Sequence, residues 1–92
     1  MAILHLTLKK KWFDMILSGE KKEEYREIKP HWKARLLHKS FNIIKFRNGY
    51  SKSAPSFLIE LKGIAYGEGR EEWGAIGGEV YILKLGDILK QL

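Results

Sequence analysis

Lys21, Glu24 and Arg26 are the residues of this chain whose types and spacing could do chemistry. They fall within Gly19-Glu20-Lys21-Lys22-Glu23-Glu24-Tyr25-Arg26, a charged stretch just after the largely apolar segment 12–17. If residues 23–28 are extended, successive side chains alternate between faces. Glu24 and Arg26 then share one face, and Glu23 and Tyr25 the other. Lys21 lies in the turn after Gly19, and its long stem can fold in from the rim. A carboxylate between two cations stays ionised and acts as an acceptor or a base, while a partly desolvated lysine beside a guanidinium loses its proton more readily. Such a triad could bind a phosphate, orient a base edge or move a proton. The same residues equally suit an exposed strand with cross-strand salt bridges, each worth less than about 1 kcal/mol.

The elements that must position these residues are legible from periodicity. Leu4, Leu6 and Leu8 alternate with Ile3, His5 and Thr7, the pattern of a first strand with one buried face. Trp12, Phe13, Met15, Ile16 and Leu17 fall on a broad helical face that Ser18-Gly19 stops. Pro30 suits the first turn of a second helix, with Trp32, Leu36 and Leu37 on one side. Residues 41–46 read as a strand, Asn48-Gly49 as a hairpin signal that residues 51–56 continue, and residues 57–65 as a strand with Gly63 at a bulge. Residues 67–78 read as a Gly- and Glu-rich loop, residues 79–85 as the last strand, and residues 86–92 as a tail with one helical turn. About five short strands and one or two short helices in a single domain, residues 1–92, predict an α+β fold: a small antiparallel β-barrel or strongly bent sheet. A doubly wound parallel sheet needs more helix between its strands.

Composition narrows the partners. The 92 residues carry a net charge of +6, 45% hydrophobic side chains and no cysteine, which excludes disulfides and thiolate metal sites. Charge is one-sided: residues 1–52 hold 13 Lys/Arg against 5 Asp/Glu, and residues 53–92 hold 4 against 6. A one-sided positive field concentrates polyanions, of which nucleic acid is the commonest, although lysines also serve solubility alone. No apolar run approaches the roughly 20 residues that cross a bilayer, and no signal peptide is evident, so the expectation is a cytoplasmic protein with no membrane partner. His5, His31 and His38 show no metal-ligand spacing, so neither metal nor cofactor is expected.

Several further residues have two readings each. Trp12, Trp32 and Trp73 could stack on bases or fill the core, and Tyr25 offers a further stacking ring. Lys29, Arg35 and Arg47 could contact phosphates or remain solvated, and Arg47 stands out because it precedes the tight turn. Ser51, Ser53 and Ser56 form no nucleophile elbow. The loop Gly67-Glu68-Gly69-Arg70 lacks the Lys-Ser/Thr ending of a phosphate loop.

The run Gly19, Lys21, Glu24, Arg26 resembles the motif of the ASCH family, a branch of the PUA-like β-barrels. The likeness extends through Lys11-Trp12-Phe13, Ile16-Leu17-Ser18-Gly19, Lys29-Pro30-His31-Trp32, Arg35-Leu36 and Phe46-Arg47-Asn48-Gly49-Tyr50. It implies a PUA-like barrel with a cleft beside the first helix, used to bind RNA or act on nucleobases. One branch of small members hydrolyses N4-acetylcytidine with a lysine and a threonine of the motif and a distant glutamate. Lys21 matches that lysine. Glu24 stands at the threonine position, and a carboxylate there would act as a base on water, not as a hydroxyl nucleophile. Glu79 is the preferred distant glutamate, with Glu71 and Glu72 as alternatives.

Three functions follow as expectations. The first is a domain binding RNA, a nucleotide or a modified nucleoside in a basic cleft, with Lys21, Glu24 and Arg26 as its floor. The second is a nucleobase-directed hydrolase or ribonuclease using Lys21, Glu24 and Glu79. The third is a protein-interaction module.

Overall fold

A computed structural model describes residues 2–38 and 40–92 of the chain. Strand β1 (Ile3–Leu8) leads into helix α1 (Lys10–Leu17), then β2 (Glu23–Glu27), α2 (Pro30–Leu37), β3 (Ile43–Asn48), β4 (Ser56–Glu68), a 3₁₀ turn (Glu71–Trp73) and β5 (Glu79–Gln91). The five strands form one sheet in the order β1-β3-β4-β5-β2, curled into a half-barrel. The α+β class and the strand number match the sequence expectation.

The expectation of a purely antiparallel sheet needs correcting. β1 and β3 run parallel, with Ile3 opposite Ile43 and Leu8 opposite Asn48. The α1-β2-α2 segment carries the chain back to the same end before β3 begins, and that crossover permits a parallel pair. The remaining pairs are antiparallel.

The strong bend comes from β4 and β5, each 13 residues long. Their register shifts between Leu58 and Ile59, between Ile59 and Leu61, and between Leu61 and Gly63. Each irregularity adds twist and turns the strand, and the bulge expected at Gly63 is among them. The tail expected to form a helical turn is instead the second half of β5, where Ile88 pairs with Ile59 and Gln91 with Phe57. The β3–β4 connection is a loop of residues 49–55, longer than a two-residue hairpin.

Apolar alternation fills the interior. Leu4, Leu6 and Leu8 from β1 pack with Phe13 and Ile16 of α1, Leu36 of α2, and Ile44, Phe46, Phe57, Ile59, Tyr81 and Leu83 of the sheet. Residues 80–83 are buried without alternation, because each face of β5 has its own cover. Tyr81 and Leu83 belong to the main core, whereas Val80 and Ile82 join Tyr25 in a second cluster under residues 69–76. No helix among the described residues is long and apolar enough to cross a membrane.

Candidate functional site

The sheet does not close on itself: β1 and β2 are its two edges. In place of a hydrogen-bond ladder, a side chain spans the gap. Arg26 Nη2 of β2 donates to the Thr7 carbonyl of β1 at 3.4 Å. The alternation expected for residues 23–28 holds, so Glu24 and Arg26 point to the same face as their partners Leu83 and Tyr81. This face is the interior of the half-barrel, and the polar pair lies where the interior opens at the seam.

Lys21, Glu24 and Arg26 converge. Lys21 Nζ lies 3.1 Å from Glu24 Oε1, and Arg26 Nη1 lies 2.9 Å from Glu24 Oε2. Lys21 is only 2% exposed and Glu24 4%, which separates this chain of charges from an exposed salt-bridge strand. Lys21 also donates to the Trp73 carbonyl, and its amine lies over the Trp12 and Tyr25 rings at 5.0 and 4.9 Å. Its backbone N–H is fixed on the Met15 carbonyl at 2.9 Å, so α1 sets where the side chain enters. Burial pushes the Lys21 amine below the ordinary lysine range; the Glu24 carboxylate opposes this, and the Arg26 charge adds to it.

The outer side of β2 is built differently. Tyr25 Oη donates to Glu23 Oε1 at 2.8 Å and accepts the Arg70 N–H at 3.0 Å. Burial first, then the Glu23 carboxylate, pushes its phenol up to about 12, against the Arg70 contact. Residues 69–76 therefore form a strap over Tyr25, Val80 and Ile82, tied to Lys21 through Trp73. Two glycines let the strap lie close. A Cβ at Gly69 would sit 2.6 Å from the Tyr25 ring, and one at Gly74, where φ is +95°, would sit 2.8 Å from Trp12.

Arg26 borders three hollows: one of about 220 Å³ between β2 and the strap, at Tyr25, Trp32, Gly74 and Val80, and two that adjoin at the seam. The seam cleft, of about 610 Å³, has Glu24 and Arg26 in its wall with Thr7, Lys9, Lys10 and Trp12, and the 48–50 turn closes one side. A neighbouring hollow of about 370 Å³ is lined by Arg26, Arg35, Arg47, His5, Trp32 and Tyr50, with Leu6 and Thr7 beneath. Two guanidiniums lie over the Trp32 ring, Arg26 at 5.0 Å and Arg35 at 5.6 Å from its centroid.

The site residues expected from sequence thus divide. Glu24, Arg26, Trp32, Arg35 and Arg47 border the two hollows at the seam. Lys21 lines neither and adjoins the cleft from behind, through its contacts with Glu24 and Trp12. Tyr25 faces the strap. Lys29 is exposed and paired with Glu27 at 3.1 Å. Glu79 is exposed at the start of β5, opposite Glu68, apart from the Lys21–Glu24–Arg26 chain. Glu71 and Glu72 are exposed on the 3₁₀ turn.

Sequence reasoning missed Thr7, Lys9 and Lys10 as cleft residues, and it noted Tyr50 only within the family likeness. The break in apolar alternation at Lys9-Lys10-Lys11 was the available signal for the first group. The aromatic directly after Asn48-Gly49 was the signal for Tyr50. Among the described residues, no group of three or more His, Asp or Glu side chains gathers where it could hold a metal. No family model, curated protein or solved structure matches this chain.

Proposed function

We propose that this chain is an ASCH-type, PUA-like domain that binds RNA, a nucleotide or a modified nucleobase in the seam cleft. One observation carries the reading. A carboxylate–guanidinium pair, Glu24 with Arg26, stands in the wall of a cleft bordered by Lys9, Lys10 and Trp12. That combination suits a base. Its ring can stack on an aromatic, while its edge offers both donors and acceptors. Each Glu24 oxygen engaged by Lys21 or Arg26 keeps a second lone pair for an amino group, and Arg26 can donate to a carbonyl or ring nitrogen. The one-sided positive charge and the resemblance at Lys21, Glu24 and Arg26 point the same way.

Lys21 has a positioning role here: it fixes one oxygen of Glu24 so that the other meets Arg26. The test is a titration of short RNAs and of the common nucleosides and nucleotides at low salt. Binding of the RNAs and nucleotides should weaken as salt rises, and binding of every member of the panel should be lost in Arg26→Ala. Undetectable affinity across the whole panel at low salt would refute the reading.

A second reading, hydrolysis of an N4-acylated cytosine, has one observation in its favour: burial lowers the proton affinity of Lys21 beside Glu24. Lys21 and Glu24 would then do the proton work, with water as nucleophile. Turnover of N4-acetylcytidine that vanishes in a folded Lys21→Met variant would support it. Turnover that survives the change would remove Lys21 from the mechanism.

A further inference from the structure

The hollow beside the seam cleft has a composition that the proposed function does not by itself require. Three of its lining side chains are arginines, Arg26, Arg35 and Arg47, and none is a carboxylate. Their partners sharpen the point. Arg26 shares Glu24 with Lys21, whereas Arg35 and Arg47 pair with no carboxylate among the described residues. Arg35 donates to the His5 carbonyl, and Arg47 donates to the Ser51 carbonyl at 2.5 Å. These bonds orient the guanidiniums without neutralising them. Three like charges around one concavity repel one another, and an anion between them removes that repulsion. Guanidinium N–H groups that remain free match phosphate oxygens, two at a time, better than they match any neutral group.

Continuity with the cleft sets what kind of phosphate this is. Thr7, Arg26 and Tyr50 line both hollows. A ligand whose base lies against Glu24 therefore has its sugar near Thr7 and Tyr50 and its phosphate among the arginines. We infer that the arginine hollow is the phosphate subsite of the ligand, so that the chain takes a phosphorylated nucleotide unit in preference to a bare nucleoside. This rests on the nucleobase reading of the adjoining cleft. The phosphate can be the terminal group of a mononucleotide or a diester of an RNA strand, which present the same oxygens to Arg35 and Arg47.

The experiment is calorimetric titration at low salt with the four nucleosides, their 5′-monophosphates, inorganic pyrophosphate, and a trinucleotide RNA with and without a 5′-phosphate. The proteins are wild type, Arg35→Ala/Arg47→Ala and Arg35→Lys/Arg47→Lys, each with its thermal unfolding curve recorded. For at least one base, the monophosphate should bind about tenfold or more tighter than the nucleoside, the scale of charge-assisted bonds to one phosphate. The alanine pair should erase that ratio and leave nucleoside affinity unchanged. The lysine pair, which keeps the charge but not the planar fork, should restore part of it.

A monophosphate preferred over the trinucleotide assigns the subsite to a terminal phosphate. A trinucleotide indifferent to its 5′-phosphate, yet weakened by the alanine pair, assigns it to a diester. Nucleosides that bind as tightly as monophosphates, or an alanine pair that weakens both alike, would overturn the inference and leave the nucleobase cleft standing. Pyrophosphate binding that the alanine pair abolishes, with nucleosides silent and nucleotides no tighter than pyrophosphate, would keep the phosphate site and remove the nucleobase reading.

Discussion

The two faces of β2 solve opposite problems with neighbouring residues. Its outer face, at Tyr25, is covered by the 69–76 strap and packs with Val80 and Ile82. Its inner face, at Glu24 and Arg26, points into the half-barrel yet carries a charge chain that ends at an open seam. A closed barrel would fill this position with an apolar side chain and join β1 to β2 by a ladder. Here the edges stay apart, and Arg26 reaches the Thr7 carbonyl instead. The difference teaches that burial alone does not mark the core: Lys21 is as inaccessible as Leu4, but its amine is paired with Glu24 in the cleft wall.

The comparison can be broken hardest at Glu24. Glu24→Leu leaves the buried Lys21 amine without its carboxylate, and the expected loss is about 3–5 kcal/mol in urea unfolding. Replacing both residues, Lys21→Met with Glu24→Leu, should recover much of that loss while abolishing binding, because an apolar pair can occupy a site that a lone charge cannot. A smaller loss, about 1–3 kcal/mol, is expected for Gly74→Ala, where φ is +95° and Trp12 blocks a Cβ. Hydrogen exchange should localise that loss to the strap and leave β1, β3 and β4 protected.

Tyr25→Phe removes one hydroxyl that donates to Glu23 and accepts from Arg70. It should destabilise by about 1–2 kcal/mol and change the alkaline limb of the stability curve. Lys21, behind the inner face of β2, and Tyr25, on its outer face, contribute to that limb with opposite signs. Lys21 has a folded-state proton affinity below its unfolded one, so its penalty applies when it is charged. Its contribution to stability rises with pH up to the unfolded value near 10.5. Tyr25 has a raised folded value, about 12 against 10.0, so its contribution is complete below pH 10 and is lost as pH rises towards 12. The difference in stability between wild type and Tyr25→Phe should therefore shrink across that interval. The smallest effect belongs to Lys9→Ala on the cleft rim. It should leave unfolding unchanged and lower the salt slope of RNA binding by about one.

Much of this arrangement was legible in the chain itself. The alternation of Leu4, Leu6 and Leu8 defined β1, and Pro30 marked the start of α2. The two-residue period places Glu24 and Arg26 on one face, as the structure has them. Three features were not legible. The parallel β1–β3 pair depends on a crossover through β2, and local periodicity does not encode which strands become neighbours. The length of β5 was hidden because Gly86 and Asp87 interrupt the apolar pattern at the place where the sheet bends. The direction of Lys21 is not encoded locally, because a turn residue with a long stem has no periodicity to read. Its place is set by the Trp73 carbonyl, 52 residues away in sequence. Glu79 was proposed from its position at the head of the last strand, but β5 begins at the end of the sheet away from Lys21. Its register sets Glu79 beside Glu68, one residue beyond the last β2 pair, while Lys84 lies opposite Glu23.

The most direct test of the seam as a binding site is amide chemical-shift mapping of the ¹⁵N-labelled protein, titrated at low salt with the nucleotide and trinucleotide panel. The account predicts dose-dependent shifts centred on Thr7, Lys9, Glu24, Arg26 and Tyr50, with the surface at Leu37, His38, Phe41, Gly63 and Ile64 silent. Shifts confined to that surface, or none with any member of the panel, would contradict it.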